Sequence, residues 1–287
     1  MLEQTGHEVN MGFTLRLDGD GNVARPALAL PVEATHKYSR GHAMVMSGPK
    51  LRTGASRLVA QAALAVGAGL VTIFGDKDAL GEQAAHVTAI MLQEYDGNFD
   101  FIDGRVRALA VGPGAGVSPR LADDVLALLS TKLPIVLDAD ALTCFASQPD
   151  VLFASLHHRA VLTPHEGEFL RLFPDLPLAD KLSAACTAAK RAGSVILIKG
   201  SQSIIAAVNG RTAINRHATP WLATAGSGDV LTGIICGLLA QGQDVFEAAA
   251  IGAWLHGDIG VRFGPGLTAD KMAYLIPEVL QGCLIDV

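Results

Sequence analysis

The chain has 287 residues and a formal net charge of −6, and 50% of its residues are apolar. Only 17% are charged, so the composition excludes an intrinsically disordered chain. The acidic residues are spread along the sequence and no basic cluster balances them, which excludes the usual class of nucleic-acid-binding proteins. With 5% aromatic residues and 31 glycines, we expect an aliphatic core of buried strands joined by tight turns.

An uncharged stretch covers residues 58–75, close to the length of a membrane-spanning helix. Its first half has the pattern of a helix, but glycines interrupt it and residues 70–74 are strand-like, so we predict a helix followed by a strand. The N-terminus lacks the apolar core of a secretory signal. We therefore expect a cytoplasmic protein without membrane contact, whose thiols are reduced. The four cysteines are Cys144, Cys186, Cys236 and Cys283.

Short apolar runs alternate with longer helical patterns along most of the chain. The runs predict strands at 43–46, 70–74, 86–92, 107–111, 134–137, 160–162 and 194–198. Two further runs, 203–208 and 212–214, flank Asn209-Gly210 and therefore predict a hairpin.

Helical patterns cover residues 53–66, a segment from Ser118 onwards, and residues 228–242, 245–263 and 268–281. The Ser118 hydroxyl is expected to cap its helix, with Pro119 in the first turn. The strand–helix–strand order predicts right-handed βαβ units. The predicted fold is therefore a single α/β domain, with a mostly parallel sheet covered by helices on both faces.

Ligands of such sheets bind at the carboxyl ends of the strands. Three polar loops should meet at that edge, at residues 112–116, 163–166 and 199–203. The glycines of the first loop allow a ligand to approach the backbone closely, although a tight turn accounts for them equally well. Lys199 and the hydroxyls that follow it could bind phosphate or ribose, or could be a solvated strand end.

The strongest local signal is Gly226-Ser227-Gly228-Asp229 before an apolar run. This pattern predicts a helix N-terminus with bare N–H groups, which favours a phosphate. Asp229 would lie in the first turn, where it could accept a proton from an attacking hydroxyl. The alternative is a flexible helix entry in which Asp229 merely complements the helix dipole.

Two further polar motifs leave their roles open. His165 begins the segment His-Glu-Gly-Glu, but the zinc-protease spacing HExxH is absent, so contact with a substrate is favoured over metal ligation. Asp138 and Asp140 could hold Mg²⁺ through water, or Asp140 could cap the following helix.

Several sequence blocks occur in a fixed order between residues 36 and 280. They are HKYSRGHA (36–43), the SGP, TGA and RL positions within 47–58, GAGLVT (67–72), VGPGAG (111–116), LDADAL (137–142), LTPHEGEF (162–169), IKGSQSII (198–205) and LATAGSGDVLTG (222–233). As a set they resemble the ADP/ATP-dependent NAD(P)H-hydrate dehydratases, which repair damaged nicotinamide nucleotides and belong to the ribokinase-like superfamily.

The resemblance implies a ribokinase-like three-layer sandwich over residues 36–287, after an N-terminal extension at 1–35. That extension is too short for the epimerase domain that some relatives carry, so a separate NAD(P)H-hydrate epimerase is expected in the same pathway. The resemblance also implies a homotetramer.

The family resemblance further implies the roles of individual residues. ADP or ATP would contact Lys199, Gly200, Ser201, Gln202, Ser203 and Gly228. The hydrated nicotinamide nucleotide would contact Ala43, Gly114, His165 and Asp229. Asp229 would be the catalytic base, beside an anion hole formed by Gly226, Ser227 and Gly228. Mg²⁺ is the expected cofactor, with no residue assigned as its ligand.

Two positions depart from the family pattern: Thr143 stands where Asn is common, and Trp221 where Gly is usual. The expected reaction is dehydration of the S epimer of hydrated NADH or NADPH, with AMP and phosphate as products when ADP is the donor. The alternatives are a kinase of the same fold acting on a vitamin precursor, and a nucleotide-binding sensor without turnover.

Overall fold

The computed structural model describes residues 12–29 and 36–285. Within these ranges, nine strands form one sheet and two form a separate hairpin. The strands are β1 Phe13–Leu17, β2 Val23–Leu28, β3 His42–Met46, β4 Leu70–Gly75, β5 Met91–Glu94, β6 Val106–Val111, β7 Ile135–Leu137, β8 Ala160–Leu162, β9 Val195–Ile198, β10 Ser203–Ala206 and β11 Thr212–Asn215. The α-helices are α1 Gly54–Ala65, α2 Lys77–Ala84, α3 Pro119–Ser130, α4 Asp140–Thr143, α5 Pro149–Ser155, α6 Glu166–Leu172, α7 Lys181–Ala192, α8 Ser227–Ala240, α9 Val245–Phe263 and α10 Ala269–Gln281.

The large sheet has the strand order β11-β10-β9-β8-β7-β6-β3-β4-β5. The pairs from β9 to β5 are parallel, and β10 and β11 form an antiparallel hairpin at one edge. The predicted mostly parallel sheet and its terminal hairpin are therefore confirmed. All seven parallel strands end at the same edge of the sheet, and the candidate site lies there.

Helices cover both faces of the sheet. Ala108 and Ala110 of β6 belong to one hydrophobic core, which the sheet shares with α1, α8, α9 and α10. Leu109 and Val111 of the same strand belong to a second core on the opposite face, shared with α3, α5, α6 and α7. Successive strand residues point to opposite faces, and since both faces are covered, the central strands are apolar without alternation.

The strand predicted at residues 86–92 is wrong in its position. β5 begins only at Met91, and the residues before it form a turn that follows α2. The backbone N–H groups of His86 and Val87 donate to the carbonyl oxygen of Gln83, at 2.9 and 3.1 Å. A short apolar run does not by itself distinguish a strand from such a helix exit.

The β1–β2 hairpin packs onto the main domain, although the sequence analysis set its segment apart as an extension. Phe13, Val23 and Leu28 are buried in the core that contains α9 and α10. The Leu28 N–H donates to the carbonyl of Cys283 at 2.7 Å, and the Ile285 N–H donates to the carbonyl of Leu28 at 3.2 Å. Both ends of the described chain therefore meet in one core.

The uncharged stretch at 58–75 is a helix followed by a strand, as predicted: α1 ends at Ala65 and β4 begins at Leu70. Among the residues that the structure describes, no helix combines the length and apolar character needed to cross a membrane.

Candidate active site

A buried ion pair lies at the carboxyl edge of the sheet. Asp138 directly follows β7 and is 1% exposed. Its Oδ1 accepts a hydrogen bond from the Lys199 ammonium, which follows β9, with Nζ and Oδ1 2.6 Å apart. Its Oδ2 accepts from the Thr232 hydroxyl of α8 at 2.8 Å. The sequence analysis selected both Lys199 and Asp138, but it did not predict that they pair, and it missed Thr232.

The N-terminus of α8 faces this ion pair, and its geometry matches the prediction made for the Gly-Ser-Gly-Asp motif. Gly226 is the N-cap, with φ of +86°, and no side chain caps the helix. The Ser227 N–H donates to the carbonyl of Thr224. Within the described chain, the N–H groups of Gly228 and Asp229 have no acceptor. These bare donors and the helix dipole favour an anion at this point.

Gly228 brings the helix start close to the ion pair. A Cβ added at Gly228 would lie 3.5 Å from Lys199 Nζ and 3.9 Å from Asp138 Oδ2. Two free backbone donors and an ammonium therefore converge on one small volume. Such a volume suits a phosphate group, because each of the three donors can address a different oxygen.

Asp229 lies in the first turn of α8 and is partly buried. Burial, together with the Asp138 and Asp140 carboxylates, raises the pKa of the Asp229 carboxyl to about 6, while the Lys199 ammonium opposes the rise. A carboxyl group with this pKa is ionised at neutral pH and can still accept a proton readily. The environment of Asp229 is therefore that of a general base.

Two buried polar side chains that the sequence analysis missed help to shape the site. The His256 Nε2 lies 2.8 Å from the Ser227 Oγ, and burial lowers the pKa of the His256 imidazole to about 4. The Ser227 hydroxyl is thus engaged by a neutral imidazole. Asn215 is 2% exposed and donates to the carbonyls of His217 and Ala253. The available signal for His256 was a single imidazole within the apolar run at residues 248–257 of helix α9.

A cavity of about 770 Å³ opens beside the start of α8. Its wall includes five of the residues predicted to contact the adenine nucleotide: Lys199, Gly200, Ser201, Ser203 and Gly228. Gln202 is outside this lining. Apolar side chains such as Leu222 and Leu231 complete the wall, which suits a flat base with polar groups at one end. We call this space the nucleotide cavity.

His165 also lines the nucleotide cavity, although it was predicted to contact the hydrated nucleotide. It is the N-cap of α6, and its Nδ1 accepts hydrogen bonds from the N–H groups of Gly167 and Glu168, at 2.9 and 3.2 Å. In return, the Glu168 carboxylate accepts from the His165 N–H. The structure therefore groups His165 with Lys199 and gives its ring a capping role.

The glycine loop at 112–116 packs against the Asp138 segment. Gly112 has φ of +119°, and a Cβ there would lie 1.9 Å from the carbonyl oxygen of Asp138, so no other residue fits. The Gly116 N–H donates to Asp140 Oδ2 at 2.8 Å. Asp140 is the first residue of α4, whose N-cap is Ala139. Of the two roles left open for Asp140, helix capping is therefore not observed.

Gly114 and Ala43 differ in whether a ligand at the carboxyl edge can contact them. Gly114 is partly exposed at the carboxyl edge, next to the start of α1. Ala43 is 0% exposed in the first half of β3, between Val71 and Ala108 of the neighbouring strands. The structure does not bring Ala43 to the site, because its strand continues for three more residues before the edge is reached.

The two departures from the family pattern lie outside the lining of the nucleotide cavity. Trp221 is 49% exposed and its indole lies over Gly264, while its neighbours Pro220 and Leu222 line the cavity. Thr143 ends α4, where its N–H donates to the carbonyl of Ala139 at 3.0 Å. Neither residue blocks the site.

Comparison with known proteins identifies close sequence relatives. Residues 43–280 match the family profile of the NAD(P)H-hydrate dehydratases. The chain is 39% identical over 268 residues to the bifunctional NAD(P)H-hydrate repair enzyme Nnr of Synechocystis sp., and 40% identical over 267 residues to Nnr of Moorella thermoacetica. Each alignment covers 86% of this chain and 50% of the relative. The chain thus spans about half the length of the curated relatives it matches.

Solved structures agree with this relationship. The ADP/ATP-dependent NAD(P)H-hydrate dehydratase of Bacillus subtilis, co-crystallised with ATP/Mg²⁺, superposes with a TM-score of 0.78 at 25% identity, covering 90% of this chain and 95% of the other. A ribokinase-like superfamily protein of Enterococcus faecalis superposes with a TM-score of 0.79 at 23% identity, covering 89% and 92%. The predicted ribokinase-like fold is therefore confirmed.

Proposed function

Because the chain belongs to the NAD(P)H-hydrate dehydratase family, we propose that it converts hydrated NADH or NADPH back to NADH or NADPH, driven by phosphoryl transfer from ADP or ATP. With ADP, the products are the reduced nicotinamide nucleotide, AMP and inorganic phosphate. The S epimer of the hydrate is the substrate. The observation that carries this proposal is the position of Asp229, a partly buried carboxyl with a raised pKa beside bare N–H groups and an ammonium.

The first step is transfer of the terminal phosphoryl group to the hydroxyl on C6 of the hydrated ring. Asp229 accepts the hydroxyl proton as the oxygen bonds to the phosphorus, and the bond between that phosphorus and its bridging oxygen breaks, which releases AMP. The N–H groups of Gly228 and Asp229 and the Lys199 ammonium stabilise the negative charge on the transferred group.

The second step is loss of phosphate from C6. The lone pair of the ring nitrogen assists departure of the phosphate, which leaves with the electrons of the C6–O bond. Loss of a proton from C5 to solvent then forms the C5–C6 double bond and restores the dihydropyridine. The net change is loss of water from the hydrate, with that oxygen carried away on phosphate.

Magnesium is the cofactor we propose for the nucleotide. Mg²⁺ in such sites is held by one or two carboxylates together with substrate phosphates and waters, so few protein ligands are required. Both oxygens of Asp138 are occupied by Lys199 and Thr232. The Oδ2 of Asp140 accepts the Gly116 N–H, and the second oxygen of this carboxylate is available as a ligand for Mg²⁺. The cation would neutralise charge on the phosphates.

The nucleotide cavity supports placement of ADP or ATP there. Lys199 and the start of α8 line the cavity together with apolar side chains such as Leu222 and Leu231. Ser201 and Ser203 supply hydroxyls for the ribose or phosphates. His165 lies on the same wall, so we propose that it contacts the nucleotide rather than the hydrate alone.

The decisive experiment incubates the purified protein with Mg²⁺, the S hydrate of NADH and either ADP or ATP. The expected result is growth of the absorbance of NADH at about 340 nm together with one phosphate released per NADH. A stable phosphorylated organic product without reduced nicotinamide would instead identify a kinase. Binding of nucleotide with no reaction of any substrate would identify a sensor.

The proposal also covers the location of the protein, the source of its substrate and its subunit assembly. We propose that the protein acts in the cytoplasm, which the four free thiols support. A separate epimerase would supply the S hydrate from its R epimer, and the subunits would assemble as a homotetramer. The relatives named above are described as bifunctional, which supports a second activity in the same repair process.

A further inference from the structure

A second cleft opens at the carboxyl edge of the sheet, on the opposite side of Asp229 from the nucleotide cavity. Its volume is about 340 Å³. Loops and helix starts that follow β3, β4, β5 and β6 form its wall. Its wall includes Ser47, Asp76, Tyr95, Gly116, Arg120 and Asp124. We call it the distal cleft.

The strand order determines how the two spaces are arranged. The nucleotide cavity lies over β8, β9, β10 and β11, Asp138 follows β7, and the distal cleft lies over β6, β3, β4 and β5. Neighbouring strands are about 4.8 Å apart, so the end of β4 lies roughly 14 Å from the end of β7 along the edge. The reacting centre is therefore flanked by one space on each side.

The distal cleft is connected to the catalytic centre through the glycine loop. Gly116 lines the cleft and its N–H donates to Asp140 at 2.8 Å. The Asp140 carboxylate is close enough to Asp229 to raise the pKa of that carboxyl. A molecule with one end at Asp229 could thus follow this loop into the cleft.

The chemistry of the distal cleft suits the end of a nucleotide. Tyr95 stacks on Phe99 with ring centroids 4.8 Å apart and belongs to an aromatic cluster with Phe74 and Phe101, in a chain that is only 5% aromatic. The Arg120 guanidinium lies over the Tyr95 ring, 5.2 Å from its centroid. An exposed guanidinium over an aromatic ring offers both a stacking surface and donors for phosphate.

The cleft lining has two carboxylates and one guanidinium, and it is the greater exposure of the guanidinium that favours a phosphate at Arg120. The Arg120 side chain is 63% exposed, whereas that of its ion-pair partner Asp124 is 14% exposed, with Nε and Oδ2 3.9 Å apart. Asp124 also accepts a hydrogen bond from the Tyr95 hydroxyl. Asp76 is the N-cap of α2, and its Oδ1 accepts a hydrogen bond from the Ala79 N–H at 2.9 Å. The cation is therefore the more accessible partner of the ion pair.

We propose that the distal cleft binds the adenosine end of the hydrated dinucleotide, and that Arg120 binds the 2′-phosphate that distinguishes hydrated NADPH from hydrated NADH. This inference rests on the proposed function for the identity of the whole substrate. A dinucleotide lying across the strand ends, with its two halves over different strands, is the usual arrangement in open α/β sheets. Arg120 is then a specificity-determining residue.

A binding experiment tests the cleft without any turnover. Adenosine 2′,5′-bisphosphate is titrated by calorimetry into protein whose nucleotide cavity is saturated with AMP. We expect Arg120→Gln to weaken binding of the bisphosphate about tenfold, the loss typical of one charged hydrogen bond. The matched control is Arg105→Gln, which removes an equally exposed arginine that pairs with Asp103 outside the cleft. Equal affinities in wild type and Arg120→Gln would overturn the proposal.

A kinetic experiment tests the specificity. In Arg120→Gln, KM for hydrated NADPH should rise about tenfold, while KM for hydrated NADH and both kcat values stay unchanged. An equal rise of KM for both hydrates would overturn the assignment to the 2′-phosphate. If the wild-type protein bound the bisphosphate through Arg120 but dehydrated neither hydrate, the proposed function would fail and the phosphate site would stand.

Discussion

The raised pKa of Asp229 affects both the stability of the fold and the proposed role of this carboxyl as a base. Its pKa rises from 3.8 to about 6 because burial disfavours the carboxylate and two neighbouring carboxylates repel it. An acid whose pKa is higher in the folded chain binds its proton more tightly when folded. Its contribution to the free energy of unfolding is therefore present below about pH 4 and is lost as the pH rises through about 6.

Asp229→Asn should separate catalysis from stability. The amide keeps the shape of the side chain but cannot accept the proton, so we expect turnover to fall by about 10²–10⁴. At pH 8 the melting temperature should stay the same or rise, because the variant no longer buries a carboxylate. In the wild type, kcat/KM should decrease below about pH 6, since protonation removes the base, and this decrease should disappear in the variant.

The measurements are a pH series of initial rates and thermal melts of both proteins. Near-wild-type turnover in Asp229→Asn would exclude Asp229 as the base. A lower melting temperature with intact turnover would show that its role is to complement the helix dipole.

Lys199 has two functions at once, since its ammonium faces the nucleotide cavity and also balances the buried Asp138. Lys199→Met keeps much of the stem but removes the charge. We expect the affinity for ADP to fall by more than the affinity for the hydrate. We also expect a lower melting temperature, because removing one partner of a buried ion pair leaves an uncompensated charge.

The double variant Lys199→Met/Asp138→Asn separates these two effects. It should recover much of the melting temperature while ADP affinity stays low in calorimetry. Full recovery of ADP affinity in the double variant would mean that Lys199 acts on the nucleotide only through the fold.

At the scale of elements, helix α8 positions the anion site because it is held rigidly in the core. Twelve of its fourteen residues are buried, so the helix is enclosed by its neighbours on nearly all sides. Gly233 and Gly237 lie one turn apart against α1. A Cβ added at Gly233 would lie 2.2 Å from the carbonyl oxygen of Val59, and a Cβ added at Gly237 would lie 2.6 Å from the carbonyl oxygen of Ala63. These glycines allow the two helix backbones to approach closely.

Gly237→Ala should push α8 away from α1. We expect a loss of about 1–3 kcal/mol in the free energy of unfolding, the usual effect of overpacking a core. The control is Gly81→Ala on α2, where an added Cβ meets nothing within 4 Å. That substitution should leave stability unchanged or raise it by about 0.5–1 kcal/mol, since alanine is the better helix former. Urea unfolding of both variants checks this, and equal stabilities would contradict it.

For the whole molecule, composition and surface both favour assembly. Few residues are charged, and large apolar side chains remain exposed, including Leu51 at 87%, Tyr274 at 75% and Val117 at 55%. Exposed apolar surface of this kind tends to be covered by a symmetric partner. We therefore expect light scattering to report more than the chain mass of 29.9 kDa, and about four times that mass for the homotetramer that the family resemblance implies. A mass of 29.9 kDa across all concentrations would contradict assembly.

The sequence alone determined features that depend on neighbouring residues. The Ser118 cap with Pro119, confirmed by the Ser118 oxygen accepting the Leu121 N–H, is a local signal. The hairpin around Asn209-Gly210 and the start of α8 are local in the same way, because a positive φ or a bare helix end follows from a few adjacent residue types. The parallel sheet followed from the alternation of strands and helices.

Only the tertiary structure decided which distant residues meet. Asp138 and Lys199 are 61 positions apart, yet they form an ion pair because β7, β8 and β9 are neighbours in the sheet. Ser227 reaches His256 across 29 positions because α8 packs on α9. Ala43 lies away from the edge because β3 continues for three residues beyond it. Residue patterns record which face of an element is apolar, but not which element covers it, and that choice is what creates the site.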